Sequence, residues 1–126
     1  MANLAGYAQY QSISLQDDAA YQELYMRLAR WTGESVVFQQ DGKPTEREAK
    51  LDRCIELLGY MDRGIDMSKN CDVALAIMSL HRFAITTLVK AKAEPASADL
   101  EALVKVFFSL ADIFGAIRVS RLKPQA

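Results

Sequence analysis

One histidine and two cysteines limit the chemistry open to this chain. His81 stands in "SLHRFAITT". A lone histidine on a helix could pass a phosphoryl group between signalling partners. That chemistry needs an exposed imidazole with small residues and a lysine beside it. Here Arg82 and Phe83 follow, and no lysine or glycine stands one turn on. A partly buried structural histidine is the plainer reading. Di-metal carboxylate bundles require Glu-x-x-His pairs on two helices, and the sequence has none. No P-loop or dinucleotide-binding glycine pattern occurs. Cys54 and Cys71 fall on separate segments at no metal or redox spacing, and Ser, Cys and His assemble into no nucleophilic triad. Asp17 and Asp18 read as a solvated helix cap. These residues predict no catalytic site, no metal and no cofactor, so the function visible here is binding.

The elements that would carry such a function follow from composition and period. A chain of 126 residues is one domain by length. Apolar residues make up 51% and charged residues 25%, which is globular rather than disordered composition. A formal net charge of −1 gives no electrostatic basis for binding nucleic acid or an anionic membrane. Two thiols without a disulfide pattern fit a reducing cytoplasm. No secretory signal is read at the N-terminus. The apolar run "VALAIMSLHRFAITTLV" is interrupted by His81 and Arg82 and reads as short for a bilayer.

Apolar positions recur at helical spacing throughout, which predicts an all-α antiparallel four-helix bundle. The first helix starts near Asp17 or Asp18 and buries Tyr21, Leu24, Leu28, Trp31, Ser35 and Phe38. "DGKP" at 41–44 is a turn. Thr45 and Glu48 have capping-box spacing, and the second helix they open presents Leu51, Cys54, Ile55, Leu57, Leu58 and Met61. Ser68 or Asn70 opens a third helix, which runs to about Ala93. Ser97 is expected to cap the fourth, with Asp99 and Glu101 in its first turn. Its stripe is Leu100, Leu103, Val104, Phe107, Leu110, Ala111, Phe114 and Ile117. The expected division is an arm at 1–16, a bundle at 17–120 and a tail at 121–126.

Two features are left over. The third helix carries two apolar stripes, Val73–Ile77–Leu80–Ala84–Leu88 and Leu75–Met78–Ile85–Val89, where a surface helix needs one. Either the bundle surrounds it, or the second stripe, which Arg82 interrupts, is a surface for an apolar partner. The arm, "NLAGYAQYQSISLQDD", has no charge before Asp17 and carries Tyr7 and Tyr10. Tyrosine can bury its ring and keep its hydroxyl in water, so such an arm is suited to lying on an apolar groove.

In this order the features resemble the flagellin export chaperone family, FliS, over nearly the whole chain. "YAQYQSISL" is similar to the family's Tyr-x-x-Tyr-Gln start through Tyr7, Tyr10 and Gln11, with Ser14 and Leu15 after it. "QELYMRL" resembles the first family helix through Leu24 and Leu28, and "CIELLGYMDRGID" the second through Ile55 and Leu57. "SLHRFAITTLVKAKAE" is similar to the family's third-helix run through Leu80, Phe83, Leu88 and Ala91. "SLADIFGAIR" places Asp112 and Phe114 where the family has an acid and a tryptophan. His81 stands for a family aromatic and Lys92 for an asparagine. The resemblance implies a cytoplasmic chaperone that binds the disordered C-terminal segment of flagellin, blocks early polymerisation and delivers it to the flagellar export apparatus, without cofactor or metal. It allows a co-chaperone or an anti-sigma factor as a further partner. The residues expected to bind the client are Tyr7, Tyr10, Ile55, Leu57, Leu75, Met78, Ile85 and Val89. The competing readings are a helical adaptor or dimerisation module and, behind it, a histidine-phosphotransfer domain.

Overall fold

The computed structural model describes residues 18–65, 71–95 and 99–122. They form four helices: α1 Asp18–Gln40, α2 Pro44–Arg63, α3 Cys71–Ala93 and α4 Leu100–Leu122. Among the described residues there is no strand. The arm with Tyr7 and Tyr10, the proposed openers Ser68 and Asn70, and Ser97 lie outside the described residues.

Local chemistry sets the helix ends. Gly42 adopts φ +68°, a left-handed conformation that a side chain would disfavour. The Lys43 amide donates to the Phe38 carbonyl at 2.8 Å and the Gly42 amide to Gln39 at 3.3 Å. This is the Schellman pattern, and it satisfies the last carbonyls of α1. The expected capping box at Thr45 does not form. Pro44 takes the first turn, and Lys43 is an N-cap without a side-chain bond. Proline's fixed φ and missing amide suit that position, so the N-cap falls at Lys43, two residues before Thr45. At α4 the cap is Asp99: its Oδ1 accepts the Ala102 amide at 3.0 Å. Asp99 is thus the N-cap residue, not the first-turn acid behind a Ser97 cap.

The helices run antiparallel in sequence. α1 is the central partner, packing extensively on α4 and also on α2. α3 packs on α2 and barely meets α4. The order around the bundle is therefore α4–α1–α2–α3, with an open seam between α3 and α4. The core holds Tyr21, Tyr25, Leu28, Leu51, Leu58, Met61, Leu88, Leu103, Phe107 and Phe114, all essentially inaccessible to water. Each such side chain contributes about 1.5–3 kcal/mol by burial. The Tyr21 ring stacks on Phe114 at 5.2 Å, and its hydroxyl donates to the Met61 carbonyl at 3.1 Å. Arg47 is buried at the start of α2 and donates to the Ala91 carbonyl. A cation at that point complements the C-terminal end of α3 and ties the two helices together.

Candidate functional site

The faces of α3 explain its two stripes. One face looks inward and buries Ala74, Ile77, His81, Ala84, Leu88 and Ala91. The flank toward α4 exposes Val73, Leu80 and Phe83, the last at 58%. The flank toward α2 carries Met78 and Ile85, half-buried against the core, and exposes Leu75 and Val89. Arg82 is exposed on this same flank, seven residues from both Leu75 and Val89. With 23 residues, α3 is long and apolar enough by length and composition to cross a bilayer, a test that the core helix of a soluble protein also passes. Much of that apolar character lies on its outward flanks rather than in the core.

The seam between α3 and α4 holds a cavity of about 380 Å³. Phe83, Thr87 and Lys90 line it from α3, and Asp99, Ala102 and Val106 from α4. The walls are mostly apolar, and a cation and an acid stand at one end. On α4, Phe108, Ile113 and Val119 are also exposed, at 43–53%. Contiguous uncovered apolar surface is what a docking site for an apolar partner requires.

His81 is fully buried. The Tyr25 hydroxyl lies 2.6 Å from its Nε2, and Asp62 Oδ1 lies 3.2 Å from its Nδ1. One tautomer satisfies both contacts: Nδ1–H donates to the carboxylate, and Nε2 accepts from the tyrosine. Burial pushes the His81 pKa below its ordinary value, against the raising effect of Asp62. Burial likewise raises the Tyr25 pKa, so that hydroxyl keeps its proton. The three groups link α1, α2 and α3 as a satisfied polar cluster. A response regulator has no access to an imidazole sealed in this way, which removes the phosphotransfer reading on geometry. Cys54 is buried with its thiol 3.6 Å from the Thr32 hydroxyl, and burial pushes its pKa up to about 11, so it is an inert core thiol. No group of histidine, cysteine and carboxylate side chains that could hold a metal ion occurs among the described residues.

The expected site residues separate into classes. Leu75 and Val89 are exposed on one flank of α3. Met78 and Ile85 are partly core, so an acid at Ile85 would cost stability as well as surface. Ile55 is half-buried on the side of α2 that meets α3, the side from which Asp52 bonds Lys92 and Asp62 bonds His81. Leu57 is 5% exposed and belongs to the core. Val73 and Leu80, read as core stripe, are exposed instead, because α4 stands away from that flank. The sequence reading did not offer Phe83 as a binding residue and missed the α4 half of the seam, Ala102 and Val106. The available signal was α4 itself, which is apolar on more sides than one buried stripe accounts for.

A family model described as "Flagellar protein FliS" matches residues 1–121. No curated protein and no solved structure matches the chain.

Proposed function

The chain belongs to the FliS family of flagellar proteins, and from that premise we propose that it is a cytoplasmic, non-catalytic export chaperone. It binds the disordered C-terminal segment of flagellin, keeps it from polymerising and delivers it to the flagellar export apparatus. The observation that carries this reading is the uncovered apolar surface on both flanks of α3, above all the open seam with α4.

A flagellin terminal segment that folds only on assembly offers amphipathic helices. Laying their apolar faces along α3 is the helix-in-groove mode. Burial of apolar surface drives it at about 25 cal/mol per Å². Ordering the client and immobilising side chains offset much of that gain. The moderate net affinity suits a carrier that must release its cargo. No nucleotide hydrolysis is needed. Tyr7 and Tyr10 give the arm two apolar anchors, and in this reading the arm covers the groove until client displaces it. The apparent affinity is then reduced by the fraction of covered molecules.

Calorimetric titration of the full chain with the C-terminal fragment of flagellin from the same genome tests the proposal. The expected result is equimolar binding with a clearly negative heat-capacity change. Phe83→Ser should weaken it at least tenfold, and deletion of residues before Ser14 should strengthen it. Absence of binding to the flagellin fragment sinks the assignment. Weaker binding after the deletion makes the arm a direct contact rather than a lid.

A further inference from the structure

The face of the bundle opposite the seam, where α1 meets α2, holds a second pocket of about 320 Å³. Its walls are Trp31, Leu57 and Tyr60, and its rim is Arg27, Arg53 and Glu56. Trp31 is half-buried, while Leu57 and Tyr60 are nearly closed off, so the pocket has an apolar floor with the indole partly accessible. The cations are placed around aromatic rings. The Arg27 guanidinium lies 5.9 Å from the Trp31 ring centroid, and the Arg63 guanidinium lies 5.3 Å from that of Tyr60. Arg27 is also bridged to the exposed Glu23 at 3.0 Å. Arg53 is exposed and has no ion-pair partner among the described residues. Glu56 is the only acid among the described lining residues, and Glu23 stands next to the rim through Arg27.

We propose that this pocket is a second docking site, for an acidic peptide segment that inserts an aromatic or large aliphatic side chain between Trp31 and Tyr60 and places a flanking carboxylate on Arg53. Charge complementarity selects the partner. Two of the three rim charges are guanidinium groups. The unpaired one gains a bidentate carboxylate without losing an existing bond, and arginine beside an indole is the composition enriched at interface hot spots. Glu56 fixes the register, because it repels a carboxylate on its own side and accepts an amide N–H. The pocket lies across the bundle from the α3–α4 seam, so cargo on the seam and a second partner here do not compete for the same surface.

Trp31 is the only tryptophan in the chain, so its emission reports on this pocket directly. The full chain is titrated with a blocked pentapeptide of alternating glutamate and phenylalanine, and separately with its lysine–phenylalanine counterpart. The expected result is a saturable change in Trp31 emission with the acidic peptide and none with the basic one. Arg53→Glu should weaken the acidic peptide at least tenfold, with Arg53→Gln intermediate. Phe83→Ser, on the opposite seam, should leave the response unchanged, which keeps this test independent of the flagellin assignment. The proposal is overturned by no saturable change at millimolar peptide, by an equal response to the basic peptide, or by wild-type affinity in Arg53→Glu.

Discussion

α4 has two neighbours and treats them differently. Against α1 it is closed. Phe114 packs on both Tyr21 and Tyr25, with centroids at 5.2 and 5.6 Å, and Gly115 makes room for the Gln22 side-chain amide, which an added Cβ would meet at 2.5 Å. Against α3 it is open, with Val106 and Ala102 facing Phe83 across a cavity. One helix of fairly uniform apolar composition therefore supplies both the tightest packing and the least covered surface. On the closed side, stacked rings fill the space between the helices. Where residues meet no such fit, the apolar area remains for something else to cover. Close packing is concentrated on the α1 side of α4, and the open apolar cavity lies on the α3 side.

The largest break in this contrast is Phe114→Ala. Removing a fully enclosed ring should cost about 3–5 kcal/mol, read as a fall in the urea midpoint at unchanged slope. A cost under about 1 kcal/mol would mean that the closed seam does not hold the fold.

Next in size is His81→Gln. Glutamine cannot keep both the Tyr25 and the Asp62 contact, and a buried polar group left unpaired costs about 1–3 kcal/mol. The same variant tests pH dependence. Burial lowers the folded-state pKa of His81 below the ordinary value of 6.5, so below that pH the unfolded chain binds more protons than the native one. Stability should then fall as the pH drops from 7.5 to 5.5 and level off only below the folded pKa. His81 is the only histidine, so His81→Gln should flatten that part of the curve. An unchanged pH slope would show that His81 is not the group responsible.

A glycine pair sharpens the comparison at smaller amplitude. An added Cβ at Gly33 meets nothing within 4 Å, so Gly33→Ala should raise stability by about 0.5–1 kcal/mol through helix propensity. Gly115→Ala has the same propensity gain but must displace Gln22. Equal gains at the two positions would show that the Gln22 side chain swings aside at no cost.

The smallest stability effect is expected at the open seam. Phe83→Ser should change the unfolding free energy by no more than about 0.5 kcal/mol, as exposed positions do, while its cost appears in flagellin binding. A large loss of stability would make Phe83 structural and move the site elsewhere.

The sequence by itself determined the class of the fold. Period, turn residues and length set four antiparallel helices, most of the core and the end of α3 near Ala93. It also argued against phosphotransfer from the residues around His81, which is fully buried, and the order of its motifs carried the family. It showed that α3 has more apolar surface than one face requires. Only the tertiary structure decided which of those residues are covered. Val73 and Leu80 share the period of Ile77 and Leu88 yet stand exposed, because α4 leans on α1 and leaves that flank open. Leu57 and Val89 are equally apolar in sequence, but one closes the core and the other faces water. His81 became a fully buried link because Tyr25 and Asp62 arrive from two other helices. Periodicity assigns a side chain to a face of its own helix. Whether that face is filled depends on the distance to the neighbouring helix, which residues far away in sequence, Phe114 among them, settle.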